Sequence, residues 1–303
     1  MPYAALDRAL ETLKVKVVHN EPMDRHTTFR IGGPADRFIT LADPRQLSEV
    51  LKVLREENLP WMLLGNGSDL LVSDLGYRGC VLTLSGAFKE IRRLSGGTLR
   101  AGSGASLAAL CTFAREQQLT GLEFAWGIPG SVGGAVYMNA GAYGGEIKDA
   151  VSSVTHLTPE GDMVTVPAAE LDLSYRHSRY TGRKEVILSV EFALIPGIPA
   201  EISAKMDDLM NRRKEKQPYD MPSAGSVFKR PQNGYAAALI EQCGLKGRRV
   251  GGAQVSEKHA GFIVNTGGAT CRDVQTLIGI IQEEVYKQTG TVLECEVITV
   301  GDN

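Results

Sequence analysis

At 303 residues and 32.7 kDa the chain exceeds one typical domain of about 100–200 residues, so two or three units are expected, with no need of disulfide or metal staples. Its 33 Lys+Arg against 35 Asp+Glu give a net charge of -2, which excludes the broad basic field of a nucleic-acid-binding protein and leaves any anionic ligand to be held locally. The 5 cysteines are odd in number and form no C-x-x-C pair, which excludes a disulfide framework or zinc knuckle and suits a reducing cytoplasm.

In chain order, Asp7, Arg8 and Glu11 break the N-terminal apolar pattern before it reaches the length of a signal-peptide core, so a cytoplasmic protein is expected. Asp43-Pro44-Arg45-Gln46 predicts a helix start, with Asp as N-cap and Pro at the first helical position; Leu47, Val50, Leu51 and Leu54 follow as one apolar stripe. Trp61–Leu64 predicts a strand ending at the turn Gly65-Asn66-Gly67-Ser68. From about Val81 to Leu194 short β-rich stretches dominate: Val81–Leu84, Thr98–Ala101, Val151–Leu157, Met163–Val166 and Val186–Leu194. Pro159-Glu160-Gly161-Asp162 marks a hairpin, and one helix is capped by Ser106. Pro196-Gly197-Ile198-Pro199 marks a boundary before an amphipathic helix with Ile202, Met206, Leu209, Met210 and Arg213 on one face. A helix at Tyr235–Cys243, a strand at Phe262–Asn265, a helix from Thr270 to Gln288 and a strand Val292–Val300 complete the chain. Alternation in that last strand puts Glu294, Glu296, Ile298 and Val300 on one side. The resulting expectation is an α+β protein with boundaries at 1–80, 81–197 and 198–303.

Glycine is the compositional anomaly, with 34 in 303 residues. Three turns concentrate it beside small polar residues: Gly65-Asn66-Gly67-Ser68-Asp69, Gly102-Ser103-Gly104 and Gly127-Ile128-Pro129-Gly130-Ser131-Val132-Gly133-Gly134. Any one could be only a tight turn. Together they suit a cradle in which backbone N–H groups approach a pyrophosphate without lysines. Neither G-x-G-x-x-G nor G-K-[ST] occurs, so a Rossmann unit or P-loop is not indicated. Phe124 to Gly145 carries no charge, but Pro129 and its glycines make it a series of buried turns and not a membrane span. With Trp126, Tyr137, Asn139 and Tyr143 it suits the wall of a planar cofactor.

Outside these turns, Ser174–Tyr180 carries Arg176 and Arg179 among hydroxyls, a pattern also common in solvated loops. Ser226 lies in a glycine-bearing turn beside Lys229 and Arg230, without the G-x-S-x-G elbow of a serine hydrolase, so a proton-donating hydroxyl remains its chemical option. Glu296 is an acid in an otherwise apolar strand, where it could be cross-strand paired or functional. The five histidines show no metal-ligand spacing, so no metal is expected.

Six segments occur in a characteristic order: Thr27–Gly33, Leu64–Leu71, Gly127–Ala142, Ser174-Tyr175-Arg176, Ala224–Lys229 and Leu293–Val297. From about residue 20 onward the chain resembles the UDP-N-acetylenolpyruvoylglucosamine reductases, flavoenzymes of peptidoglycan precursor synthesis. The resemblance implies a vanillyl-alcohol oxidase-like fold, in which two N-terminal α+β units hold non-covalent FAD and a C-terminal α+β domain takes the substrate. The short segment between Arg176 and Val186 matches the shorter subclass. Residue by residue, the resemblance implies that Arg176, Ser226 and Glu296 are catalytic, that Gly65, Asn66, Gly67, Ser68, Asp69, Gly127, Ile128, Gly130, Ser131, Gly133, Gly134 and Asn139 meet the cofactor, and that Lys216 and Arg230 hold the UDP portion.

The implied reaction uses NADPH to reduce the flavin, after which UDP-N-acetylglucosamine-enolpyruvate takes the hydride to give UDP-N-acetylmuramate. Hydride addition to an enol ether builds charge on the adjacent carbon and its carboxylate, so Arg176 suits bidentate stabilisation and a protonated Glu296 suits a further hydrogen bond. Ser226 would then protonate the carbanionic carbon. A monomer with no nucleic-acid or membrane partner is expected. Three positions depart from the family pattern: Asp69 for the usual Asn, Trp126 for a small residue, and Ile298 for a common arginine. The alternatives are an oxidase of the same flavin fold acting on a hydroxy acid or sugar lactone, and a non-catalytic flavin-binding module.

Overall fold

In a computed structural model, which describes residues 3–301, the chain forms two compact units, neither contiguous in sequence. The first comprises Met1–Val18, Arg37–Asn66 and Gly79–Asn211; the second comprises His19–Asp36, Gly67–Arg78 and Arg212–Asn303. This division cuts across the three consecutive segments drawn from the sequence, because strands far apart in the chain pair with one another.

In the first unit, helices α1 (Ala4–Thr12) and α2 (Pro44–Glu56) bury Leu6, Leu10, Leu47, Val50 and Leu54 in a core shared with Ile39, Leu41 and Leu82. Each such side chain contributes about 1.5–3 kcal/mol. Asp43 caps α2 as its sequence demands, accepting from the Gln46 amide at 2.9 Å. The associated sheet is ordered Lys16–Pro22, Pro34–Leu41, Tyr77–Leu84, Trp61–Leu64 with the last two strands parallel, and of these strands residues 16–18, 37–41, 79–84 and 61–64 belong to this unit.

A second core in this unit lies on a five-stranded antiparallel sheet ordered Met163–Pro167, Val151–Leu157, Val186–Ala193, Thr98–Gly102, Ile91–Arg93. Helix α3 (Leu107–Glu116), capped by Ser106, contributes Leu107, Leu110, Cys111 and Ala114, and the short α4 (Val132–Tyr137) contributes Val132, Ala135 and Val136. Burial pushes the Cys111 thiol up to about 12, so it serves as a core residue. Helix α5 (Pro199–Lys216) starts at the expected boundary and adds Ile202 and Met206 to this core; the division between the units falls inside it, after Asn211.

The second unit holds a four-stranded antiparallel sheet ordered Ser223–Ser226, Phe262–Asn265, Ala253–Val255, Arg249–Val250. Helices α6 (Ala236–Gln242) and α7 (Cys271–Thr289) share its core through Ala236, Ile240, Val274, Leu277 and Ile281. Thr270 and Asp273 form a capping box on α7, and Asp74 accepts from the Cys271 and Arg272 amides at 2.7 and 3.1 Å. The expected strand Val292–Val300 is a strand only over Ile298–Val300, which pairs in parallel with Leu70–Val72. Before it the backbone is irregular: Cys295 bridges to Phe228, and the amides of Glu296 and Val297 both donate to the Val227 carbonyl, at 2.7 and 3.4 Å. The single alternating face assigned to Glu294, Glu296, Ile298 and Val300 is therefore corrected.

Among the described residues no helix is long and apolar enough to cross a membrane, and no group of His, Cys, Asp and Glu could hold a metal ion. His156 is buried, with Nδ1 3.1 Å from the Tyr180 hydroxyl.

Candidate active site

In the first unit the second and third glycine turns are laced together. The Leu107 amide donates to Gly130 O, Val132 to Ala105 O and Gly133 to Ser103 O, at 3.0, 2.8 and 2.8 Å. Ser131 caps α4 by accepting from the Gly134 amide at 3.2 Å. The Gly130 amide donates to Ile128 O at 2.8 Å. These glycines thus use their N–H groups to hold the turns in shape, which revises the picture of every such donor facing a phosphate. Gly65 and Asn66, in contrast, are exposed. Gly65 lies so close to this assembly that a Cβ there would stand 2.5 Å from Ser131 Oγ. Gly127 is buried, Ile128 half-buried, and Trp126 packs against the core.

Arg176 is presented on a two-residue turn. Ser174 and His177 exchange both backbone hydrogen bonds at 3.2 Å, leaving Tyr175 and Arg176 at the tip, with Arg176 at φ 55°. A non-glycine residue in this left-handed region costs roughly 1–2 kcal/mol. The guanidinium carbon lies 5.0 Å from the Tyr175 ring centroid. Asn139, the residue after Met138 at the end of α4, donates to the Ser174 carbonyl at 3.0 Å and to Glu146 Oε2 at 2.8 Å, and its carbonyl accepts from the Lys148 amide at 3.0 Å. Both of its side-chain N–H groups and its carbonyl oxygen are thus engaged with protein. Lys148, the Asn139 amide and the nearby Arg176 charge hold the Glu146 carboxyl below the usual carboxylate range. Ser178, fully buried, donates to the Tyr137 carbonyl at 2.8 Å.

In the second unit Ser226 ends the strand Ser223–Ser226, which shifts register between Ser223 and Ser226 against Phe262–Asn265. The adjacent Val227 carbonyl receives the Glu296 amide, so Ser226 and Glu296 are brought close along the backbone. Asp69 O accepts from the Ile298 amide at 3.0 Å, adding the end of the first glycine turn to the same neighbourhood. Gly67 there has φ 60°, and a Cβ on it would lie 2.2 Å from the His26 carbonyl oxygen, so only glycine fits. Thr28 joins both segments: its hydroxyl donates to Ser223 O at 2.7 Å and its amide to Gly67 O at 3.0 Å. Arg230 is exposed, its guanidinium 4.5 Å from the Tyr235 ring centroid, and Lys216 ends α5. Arg176 belongs to the first unit, and Ser226 and Glu296 to the second.

The residues of the first unit fit a bound dinucleotide in two respects. At the exposed Gly65 the backbone lies open beside Ser131, whose Oγ a Cβ would crowd at 2.5 Å. Ser103 Oγ, in the turn laced to Gly133, is buried without a hydrogen-bond partner, an orphan that a ligand oxygen can satisfy. Sequence reasoning gave no role to Thr28, Glu146 or Ser178. Thr28 lay within a quoted motif, but its partner is 195 residues away.

Comparison with known proteins places these features in a family. Residues 35–167 match the model of an FAD binding domain, and residues 217–300 match the C-terminal domain of UDP-N-acetylenolpyruvoylglucosamine reductase. The chain is 48% identical to the UDP-N-acetylenolpyruvoylglucosamine reductase of Agathobacter rectalis over 297 residues, covering 94% of each chain. It is also 48% identical to that of Geobacillus kaustophilus over 288 residues, covering 94% of this chain and 93% of the relative. The crystal structure of UDP-N-acetylenolpyruvylglucosamine reductase from Thermus caldophilus superposes with a TM-score of 0.81 at 36% identity, over 94% of this chain and 98% of that one. Physcomitrella patens BBE-like 1 wild-type, at 16% identity and a TM-score of 0.50 over 63% of this chain and 44% of that one, shares the fold alone. The architecture is the expected α+β, vanillyl-alcohol oxidase-like FAD-binding fold with a C-terminal α+β domain. The chain belongs to the UDP-N-acetylenolpyruvoylglucosamine reductase family of FAD-dependent oxidoreductases.

Proposed function

We propose that the protein reduces UDP-N-acetylglucosamine-enolpyruvate to UDP-N-acetylmuramate with NADPH, a step of peptidoglycan precursor synthesis. The observation that carries this reading is the backbone link between the Ser226 and Glu296 segments, with the Glu296 amide 2.7 Å from the carbonyl of the residue after Ser226. It sets the two segments side by side along the backbone, which supports a proton-donating hydroxyl and a carboxylate partner working at one site.

FAD, when bound, supplies the hydride to the terminal carbon of the enol ether. Arg176 holds the substrate carboxylate with its forked donors, and Glu296 in its protonated form adds a hydrogen bond as charge develops there. Ser226 gives its proton to the neighbouring carbon. Even a weak acid serves, because that carbon is strongly basic at this stage.

Gly65, Asn66, Gly67, Ser68, Asp69, Gly127, Ile128, Gly130, Ser131, Gly133 and Gly134 form the cofactor surface, several of them by shaping the turns. Lys216 and Arg230 take the UDP portion. Segments 1–80 and 81–197 serve FAD binding, and 198–303 serves substrate binding. The protein acts as a cytoplasmic monomer without nucleic-acid or membrane partners.

The test is anaerobic. NADPH should bleach the yellow protein, and the enolpyruvyl substrate should restore its colour with formation of one UDP-N-acetylmuramate per flavin. Recolouring by oxygen alone overturns the reading in favour of an oxidase.

A further inference from the structure

The geometry points to Asn139 as a positioning residue that sets where Arg176 presents its guanidinium, an inference that rests on the role proposed for Arg176. Asn139 is 1% exposed and has φ 41°, a left-handed conformation that asparagine tolerates better than most residues. Both amide hydrogens and the carbonyl are engaged: Nδ2 donates to Ser174 O and Glu146 Oε2, and Oδ1 accepts from the Lys148 amide. Of these partners, Ser174 O belongs to the first residue of the Arg176 turn. Two residues beyond Arg176, Ser178 Oγ donates to Tyr137 O at 2.8 Å. The turn is therefore fastened on both flanks to residues 137–139, where the glycine-rich stretch leaves α4.

Each fastening has a physical necessity. Arg176 sits at φ 55° and gains no stability from that conformation, so the surrounding bonds must hold it there. The Asn139 amide also spans two acceptors of the same kind, the Ser174 carbonyl and the Glu146 carboxylate, which no carboxylate side chain can do. Glu146 in turn is held by Lys148 Nζ at 2.8 Å, and the charge of Arg176 acts on the same carboxylate. A displacement of about 1 Å in a group that orients substrate can slow a reaction about 100-fold.

The test compares Asn139→Asp, the paired variant Asn139→Asp/Glu146→Gln, and Arg176→Met. The paired variant restores the amide-to-carboxylate hydrogen bond in reverse and the original net charge, but leaves the Ser174 carbonyl facing a carboxylate. Its melting temperature should return close to that of the unmodified protein. In anaerobic stopped-flow it should be bleached by NADPH at a rate within about threefold of normal, while recolouring by the enolpyruvyl substrate falls 30-fold or more. Independently of turnover, hydrogen exchange of amides 174–177 in the flavin-free protein should quicken at least tenfold. Normal recolouring or unchanged exchange in the paired variant overturns the positioning role. Normal recolouring in Arg176→Met overturns instead the role of Arg176 on which it rests.

Discussion

The Thr28 hydroxyl donates to the Ser223 carbonyl at 2.7 Å across 195 residues of sequence. Because the Thr28 amide also donates to Gly67 O at 3.0 Å, one residue fixes the strand that ends in Ser226 and part of the first glycine turn, both in the second unit. Replacing its hydroxyl with a methyl group leaves the Ser223 carbonyl without that donor at a cost of about 1–3 kcal/mol. Thr28→Val should weaken FAD binding about tenfold, which is about 1.4 kcal/mol, and Thr28→Ser should restore it. Fluorescence titration of the flavin-free protein checks this; equal affinity in the Val and Ser variants contradicts it.

The two glycines of the first turn should respond unequally to a methyl group. At Gly65 the added Cβ would meet the Ser131 side chain, with Oγ at 2.5 Å, and that oxygen can rotate away by giving up its cap on the Gly134 amide for about 1 kcal/mol. At Gly67 it would meet the His26 backbone carbonyl at 2.2 Å, in a conformation with φ 60° that itself costs roughly 1–2 kcal/mol. Gly65→Ala should purify yellow with FAD affinity lowered about tenfold. Gly67→Ala should purify largely colourless, with a melting temperature well below that of Gly65→Ala. The reverse order in flavin content would contradict the assignment.

Burial, helped by the charge of Arg179, lowers the pKa of His156. Burial likewise lowers that of His259. Below about pH 6.5 the unfolded chain takes up protons that the folded protein refuses at both sites. Stability present above that pH is therefore lost progressively as pH falls through the folded values. The melting temperature should drop between pH 7 and pH 5. In His156→Phe/Tyr180→Phe, which removes the buried hydrogen-bonded pair together, the drop should be smaller, with the remainder owed to His259. Thermal melts at three pH values decide it, and an unchanged slope contradicts the assignment.

Local chemistry was legible in the sequence. The helix starts at Asp43 and Ser106 can be read because a cap's side chain bonds an amide three residues on, and the helix expected from Thr270 is capped in the same way. The end of the chain was misread because apolar alternation cannot reveal that the Glu296 and Val297 amides share one acceptor, Val227 O. Consecutive segments likewise could not anticipate that residues 19–36 and 67–78 group with the C-terminal part. That grouping rests on the pairing of Leu70–Val72 with Ile298–Val300, and on Asn265 donating to the Phe29 carbonyl 236 residues away. Arg176, Ser226 and Glu296 stood out only weakly as residue types; their ordered motifs singled them out. Asn139 was noticed for the composition around it, whereas its hydrogen bonds join it to the Arg176 turn.

The central claim is that Ser226 supplies the proton that completes reduction of the enolpyruvyl ether and takes no part in accepting electrons from NADPH. Anaerobic stopped-flow on Ser226→Ala tests it most directly. Bleaching by NADPH should keep its normal rate within about threefold, while recolouring by UDP-N-acetylglucosamine-enolpyruvate should slow by about 100-fold to 10,000-fold, the usual contribution of a positioned general acid. Equal slowing of both steps, or recolouring at the normal rate, would contradict the account.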